Sequence, residues 1–590
     1  MNTNEKLSKL RELMKKKKIN AIIIPTADPH LSEYLPERYK HREFITGFTG
    51  SSGTAVITQD KAKVWTDGRY FIQCANQIRD CEFEMCKWNT EGEETILSFL
   101  EKELKEGDKV EVTYQIYPRK EFVSLEKSLS KSKIQLVDGK TVNEIWDTQP
   151  QIPKESVFLL EDSYAGESRR EKLNRIEKEL QEKNANATFI SSLEDIAWIL
   201  NLRGRDIPTN PVTVAYLLLI EDGGILFIHS SKISDEIKDI LEEDGIVISD
   251  YDRVFQGLEG ISGLDIYMDP DATSQKIYSI LEENNRIIEG KNISSKMKAI
   301  KNATEIENQK RAYLEDGIAL TKLMYRIKKN PLDFAGEFDV ANQLFQLRKE
   351  RETFIEESFT TISAVGKNAA MMHYSATEET QAPMKNTGMI LIDSGGQYLL
   401  GTTDTTRTII LGEISQEEKH DFTLVLKSSI ALLRAKFLKG TRDADLDSIA
   451  RYPLWLEGKD YKCGTGHGVG YLSSVHESPP RFSFRNPNPT TLEEGHIVTI
   501  EPGIYREGKY GIRTENTVHV VSFRETEDGT FYGFENFTKV PIDLDGIEVE
   551  ILTQEEKEFL NSYHRDVYET LESHLTEEER NWLKEATKEI

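Results

Sequence analysis

The feature that most constrains this chain is a repeat in its first half. Glu5–Leu10 reads EKLSKL and opens an amphipathic pattern that runs into the apolar stretch INAIIIPTAD. Glu171–Ile176 reads EKLNRI and runs into NATFISSLED. Each copy predicts a helix, then a buried strand, then a polar loop. Strand-forming sequence follows both copies, GTAVITQDKAKVWTDGRYF in the first and TVAYLLLIEDGGILFI in the second. One order of elements used twice predicts tandem α/β domains. Pro150 and Pro153 in DTQPQIPKES mark a linker, which places the first domain at 1–150. The second is placed at 151–295. A charged helical stretch, SKMKAIKNATEIENQKRAYLEDGIALTKLMYRI, opens the third and largest block, 296–590. A chain of 590 residues is in any case too long for one core, since cores stop growing near ~250–300 residues.

The third block holds the chemistry. In MILIDSGGQYLLGTTDTTRTIIL, Asp393 ends an apolar run and Asp404 sits 11 residues on. A tight hairpin turning at Gly395–Gly396 would leave Asp404 roughly 20 Å from Asp393, at ~3.4 Å per residue. A hairpin centred near Tyr398–Leu399 would place the two opposite each other, with Gly395 or Gly396 marking a bulge or bend. Both remain open at this level. In HIVTIEPGIYREGKYGIRTENTVHVV, Glu501 ends an apolar run and Glu515 lies in the next strand. Their midpoint is Gly508, inside a natural turn, so a simple hairpin brings the two glutamates face to face. The third segment is CGTGHGVGYLSSVHE, Cys463–Glu477. Its alternating glycines let backbone pass close to a crowded centre while His467 presents an imidazole.

Each residue alone has an ordinary reading as a strand end, a solvated turn or a satisfied loop histidine. Four carboxylates aimed at one place repel, and buried carboxylates need partners or metal ions. A pair of ions about 3.5–4 Å apart resolves this. A hard oxygen set with one imidazole suits Mn²⁺, with Zn²⁺ or Co²⁺ as alternatives. Such a centre generates a hydroxide near neutral pH and polarises a carbonyl, which is hydrolase chemistry.

Composition narrows the setting. The net charge of −26 argues against a nucleic-acid surface or an anionic membrane, both of which need clustered Lys and Arg. No apolar stretch is long enough to span a bilayer, and MNTNEKLSKLRELMKKKKIN has no secretory h-region. The run Lys15–Lys18 reads as a solvated helix end. The four cysteines, Cys74, Cys81, Cys86 and Cys463, form no CxxC pair and read as reduced thiols in a cytoplasm.

The segments DSGGQYLLGTTDTTRT, GTGHGVG, VHE, EPGIY and GIRTEN resemble the ligand motifs of the pita-bread metallopeptidases, which include methionine aminopeptidase, prolidase, aminopeptidase P and creatinase. Within that family the chain is most similar to the long, three-domain cytosolic Xaa-Pro aminopeptidases. DPHLSEY, FITGFTGSSGTAVI and WTDGRYF resemble their first domain, EDIAWILNLRGRDIPTNPV their second, and FLNSYHRDVYETLESHLTEEERNWLKEATKEI their C-terminal extension. The resemblance implies an α/β (α+β) chain, with two creatinase-N-like domains before a pita-bread catalytic domain. It implies that Asp393, Asp404, His467, Glu501 and Glu515 hold two divalent ions, usually Mn²⁺. It also implies hydrolysis of the N-terminal Xaa–Pro bond by a hydroxide bridging those ions, on peptides with proline at the second position.

By the same carry-over, His373 in MMHYSA and His476 in VHE bind substrate and stabilise the oxyanion, beside His467. Glu501 handles a proton. Arg69 in DGRYF matches a substrate-contacting position, against the simpler reading of an arginine bracing its own domain. Arg513 is placed to orient a ligand carboxylate through a bidentate pair. A homodimer is expected on the same ground. Relatives commonly carry histidine where this chain has Cys463, so that position is read as shaping the pocket wall. The alternatives are a prolidase-type dipeptidase and a non-catalytic peptide-binding module on the same fold.

Overall fold

The computed structural model describes residues 1–221 and 223–590. Its contacts divide the chain into two compact units: Met1–Glu161 with Glu167–Ser295, and Lys296–Ile590 with Asp162–Gly166.

The N-terminal unit contains the repeat in full. A capping box of Asn2 and Glu5 starts the helix Thr3–Lys17, which buries Leu7, Leu10 and Met14. The helix ends in Lys15, Lys16 and Lys17, and Lys18 turns the chain in the left-handed region, so the lysine run is an exposed helix end as expected. The strand Ala21–Pro25 follows. The second copy has its own capping box, Ser168 with Glu171, on the helix Arg169–Glu182, and then the strand Ala187–Ile190.

Each copy builds a six-stranded sheet of one topology. With strands counted in chain order inside each copy, both sheets run fourth, third, second, first, fifth, sixth. In both, the first strand pairs antiparallel with the second and parallel with the fifth. Both faces of the first sheet are covered. Ile22 and Ile24 join Leu7, Leu10 and Met14 on one side, while Ala21 and Ile23 join Trp65, Phe99 and Val110 on the other. This two-residue alternation between two apolar clusters explains the unbroken apolar run in the sequence.

The C-terminal unit opens with the long helix Ala303–Lys329, capped by Asn302 and Glu305. Three strands then form one sheet, Ile362–Val365, Met389–Ser394 and Thr405–Ile410. A six-stranded sheet places Gly466–Gly468 between Glu477–Phe482 and Ile497–Ile500, with Asn516–Thr526 beyond. The helices Gln416–Leu433 and Gln554–Leu571 contribute Leu424, Val425, Leu560 and Val567 to one core with Ile318 of the long helix. The C-terminal segment is therefore part of the packed unit. All four cysteines are free thiols. Among the described residues no helix is long and apolar enough to cross a membrane.

Candidate metal centre

Two hairpins and one short strand bring the acidic residues and His467 together. The strand Met389–Ser394 pairs with Thr405–Ile410, Asp393 facing Thr406 and Ser394 facing Thr405. The ladder resumes with Tyr398 facing Gly401, so the hairpin turns at Leu399–Leu400. That is one position beyond the wider of the two expected turns. Asp393 and Asp404 are consequently diagonal neighbours on one face, not a directly opposed pair. Gly395 is required because a Cβ there would lie 1.8 Å from the Thr403 carbonyl.

The glutamate hairpin follows the expected register. Gly503 faces Arg513 and Arg506 faces Tyr510, about a turn at Gly508 with φ +74°. Ile500 faces Asn516 in the same register, which sets Glu501 and Glu515 side by side. Backbone hydrogen bonds link the segments. The Glu501 amide donates to the Thr465 carbonyl at 2.7 Å, and the Glu515 amide to the Thr406 carbonyl at 3.2 Å.

His467 arrives on the short strand Gly466–Gly468, pressed between two neighbours. A Cβ at Gly466 would lie 1.9 Å from the Thr499 carbonyl, and one at Gly468 would lie 2.4 Å from the Glu477 carbonyl. These glycines have ordinary φ values, so close approach, not backbone freedom, requires them. The His467 amide donates to Thr499 Oγ1 at 3.1 Å, and Nδ1 lies 2.8 Å from the Gly468 carbonyl. That carbonyl can only accept, so Nδ1 carries the proton and Nε2 presents a lone pair. Nε2 is 3.5 Å from Asp404 Oδ2 and 3.7 Å from Glu501 Oε1.

The electrostatics are those of carboxylates short of positive charge. Burial, then Asp393 and Glu501, push Asp404 well above the usual carboxylate range. Burial, then Asp404, Asp393 and Glu501, do the same to Glu515. Among the described residues no hydrogen-bond donor meets the buried Asp393 Oδ1. Ligand atoms of Asp404, His467 and Glu515 all lie within 4.8 Å of one another. An acceptor without a donor, crowded carboxylates and an inward lone pair fit divalent cations.

The sequence expectations for the surrounding residues meet mixed outcomes. His476 packs edge-on to His467 at 4.4 Å between ring centroids, and His373 stacks beyond it at 6.4 Å, so the three imidazoles form a row. Arg513 binds Asp393 through Nη2, Thr406 Oγ1 through Nε at 3.1 Å and Tyr505 through Nη1 at 2.6 Å. Its three nitrogens reach three different side chains, and Nη2 also faces the Met372 carbonyl at 3.5 Å, so the expected bidentate pair is absent; the hairpin register places one carboxylate, two hydroxyls and that carbonyl around the guanidinium. Arg69 lies in the N-terminal unit, where Asp67 holds it bidentately at 2.9 and 2.8 Å. Burial pushes the Cys463 thiol up to about 12, and its carbonyl accepts from Arg451 at 2.7 Å.

Several supporting residues were given no role by the sequence reading. Thr406 donates to Glu515 Oε2 at 2.8 Å, and Tyr313 Oη accepts the Asp404 amide at 3.0 Å. Glu477, next to His476, is buried against Lys298 at 2.8 Å and against Lys301. Each of these contacts joins segments far apart in the chain.

Residues 6–145 and 148–305 each match the creatinase/prolidase N-terminal domain. Residues 307–522 match metallopeptidase family M24, and 530–590 match the C-terminal region of that peptidase. "Xaa-Pro aminopeptidase 1" of Dictyostelium discoideum is 36% identical over all of this chain and 96% of its own length. The chain belongs to the Xaa-Pro aminopeptidase family of M24 metallopeptidases. "Aminopeptidase P2" of Arabidopsis thaliana is 37% identical over 96% of this chain and 85% of its own. Among solved structures, X-prolyl aminopeptidase from Caenorhabditis elegans, described as a cytosolic enzyme with a di-nuclear active site, superposes over 100% of both chains with a TM-score of 0.96 and 32% identity. A prolidase from Thermococcus sibiricus shares the fold over 64% of this chain, at a TM-score of 0.51 and 20% identity. The Xaa-Pro aminopeptidase architecture, two creatinase-type domains before an M24 domain, is thus present throughout the chain.

Proposed function

We propose that this chain is a metal-dependent aminopeptidase that removes the first residue from peptides with proline second. The observation that carries the reading is the convergence of Asp393, Asp404, His467, Glu501 and Glu515, with Asp393 Oδ1 left without a donor, in a chain that matches a di-nuclear Xaa-Pro aminopeptidase end to end. These five side chains are the proposed ligands of two divalent ions, and the hard donor set favours Mn²⁺ over Zn²⁺ or Co²⁺. Bound there, two such ions would supply a hydroxide nucleophile at neutral pH and a Lewis acid for the scissile carbonyl.

The protein groups then have distinct tasks. His476 lies beside His467 and His373 beside His476, and the two are proposed to donate hydrogen bonds to substrate oxygen and to the developing oxyanion. Glu501 is the least enclosed of the four carboxylates, with a side chain 22% exposed, and is the proposed proton carrier. Arg513 orients Asp393. Arg69 is the further proposed substrate contact. Cys463 forms wall, because its thiol stays protonated at neutral pH.

The proposed domain limits are 1–150, 151–295 and 296–590, in a cytoplasmic homodimer. Tyr452, Trp455, Leu456 and Phe484 support the dimer. They are large apolar side chains 60%, 41%, 69% and 44% exposed, and Trp455 and Phe484 touch each other.

The test offers Arg-Pro-Pro and Arg-Ala-Ala to the Mn²⁺-loaded protein and measures released arginine. Release from the proline peptide alone is expected. Release from both would remove the proline specificity. Asp404→Ala should abolish release while the circular dichroism of the fold is kept, and unchanged turnover would overturn the metal assignment.

A further inference from the structure

His373 sits in a segment with little regular structure of its own. Between the strand Ile362–Val365 and Ala382 there is only the short turn of helix Gly366–Ala370. A segment of this kind does not hold an imidazole in place unless something outside it does. One buried carboxylate makes contact at both of its ends and within it.

Glu337 is the first residue of the helix Glu337–Lys349 and is fully buried. Its Oε1 accepts from the Val365 amide at 2.6 Å and from Asn368 Nδ2 at 3.0 Å. Its Oε2 accepts from the Ala382 amide at 2.7 Å and from the Tyr374 hydroxyl at 2.8 Å. Its own amide donates back to the Ala382 carbonyl at 3.1 Å. Val365 faces Ile390 on the strand that carries Asp393, so one end of the segment is already fixed to the metal-ligand hairpin. The residues on either side of His373 are held separately. The Met372 carbonyl lies 3.5 Å from Arg513 Nη2, and the Tyr374 hydroxyl is on Glu337.

We propose that Glu337 is a positioning residue of this enzyme, acting through His373. Four donors on one carboxylate close the segment against the helix and fix where the imidazole stands in the row with His476. The role needs an acceptor at both oxygens. A glutamine keeps the size but has one oxygen, so either the Val365 or the Ala382 amide would face an NH₂ group. The inference rests on His373 being a substrate-side group, and the experiment separates the two.

Four proteins are compared by kcat/KM on Arg-Pro-Pro with Mn²⁺: wild type, Glu337→Gln, His373→Ala and the double variant. Bound Mn²⁺ and Tm are measured on each. Glu337→Gln is expected to lower kcat/KM about 10- to 100-fold, the range for supports that orient a reacting group, with two ions still bound. In the His373→Ala background the same change should have no further effect. Tyr374→Phe removes one donor without touching the backbone anchors, and should give a smaller loss that also vanishes in that background. If Glu337→Gln does not fold, Tyr374→Phe decides. If His373→Ala turns over like wild type, the reading of His373 fails and takes the proposal with it. If His373→Ala is impaired but Glu337→Gln is not, the positioning role alone is overturned. Equal losses in both backgrounds, or losses that follow Mn²⁺ or Tm, would likewise overturn it in favour of a purely structural role.

Discussion

Arg513 connects two of the candidate ligand carboxylates that come from different hairpins. It binds Asp393 directly and reaches Glu515 through the Thr406 hydroxyl, which accepts from Arg513 Nε and donates to Glu515 Oε2. Tyr505 holds its remaining arm. One planar cation thus orients two anions, and both the fork and the charge are needed. Lysine carries the charge on a single nitrogen and cannot reach Asp393, Thr406 and Tyr505 together. Arg513→Lys should therefore weaken Mn²⁺ binding about 10- to 100-fold, as loss of outer supports does elsewhere, while the fold survives. Equilibrium dialysis of the variant checks this, and an unchanged dissociation constant would show that the carboxylates orient themselves. The contact could not be read from the sequence. Arg513 is two residues from Glu515, yet its direct partner, Asp393, is 120 positions away and meets it only through packing of the two hairpins.

At the scale of elements, the glycines around the centre do two different jobs, which substitution separates. Gly508 turns the glutamate hairpin with φ +74° and open space where a side chain would go. Gly508→Ala should cost about 1 kcal/mol of stability from the left-handed backbone and leave metal binding intact. Gly466 has an ordinary φ but faces the Thr499 carbonyl at 1.9 Å from a Cβ position. Gly466→Ala must push its strand off Ile497–Ile500 and disturb the His467 amide bond to Thr499. It should cost about 1–3 kcal/mol and lower metal occupancy as well. Thermal melts with metal analysis on both variants check the contrast, and equal occupancy would show that strand spacing does not set His467. The glutamate register was legible because a turn residue stands at the midpoint of the two acids. The aspartate register was not, because two turns were available. The turn used lies one position beyond the wider of them, and in that register Gly395 closes on the Thr403 carbonyl, a contact absent from local sequence. The Glu337 and Glu477 clusters were invisible for the same reason, since buried charge partners carry no spacing rule.

Across the whole molecule, the repeat in the first half was legible as an order of elements, and it returns as one sheet topology built twice. The same burial that makes these cores also sets how the protein meets acid. In the N-terminal unit, burial pushes His30 down to about 3 and His41 to about 4, while it pushes Asp28 up to about 6. These groups oppose one another. Below the unfolded histidine pKa near ~6.5 the unfolded chain takes protons that buried His30 and His41 refuse, so stability falls with pH. Between about 6 and about 4 the folded Asp28 takes a proton that the unfolded chain does not, so its contribution rises.

His564, in the C-terminal unit, has a simpler setting. Burial first, then the Arg407 guanidinium, push it down to about 3; the Ile542 amide donates to Nε2 at 3.1 Å, and among the described residues the buried Nδ1 has no partner. The neutral ring is therefore the only form the fold accepts above about pH 3. Above ~6.5 the folded and unfolded states are both neutral and pH has no effect through this group. As pH falls from ~6.5 toward 3, only the unfolded state gains the proton, and stability is lost at ~1.4 kcal/mol per unit. His564→Gln removes that term and costs packing at every pH. The stability gap between wild type and variant should therefore narrow by about 2 kcal/mol between pH ~7 and pH ~5, read from denaturant unfolding of both proteins. A gap that stays constant over that range would mean that the ring is protonated in the folded protein, with water or a carboxylate reaching Nδ1.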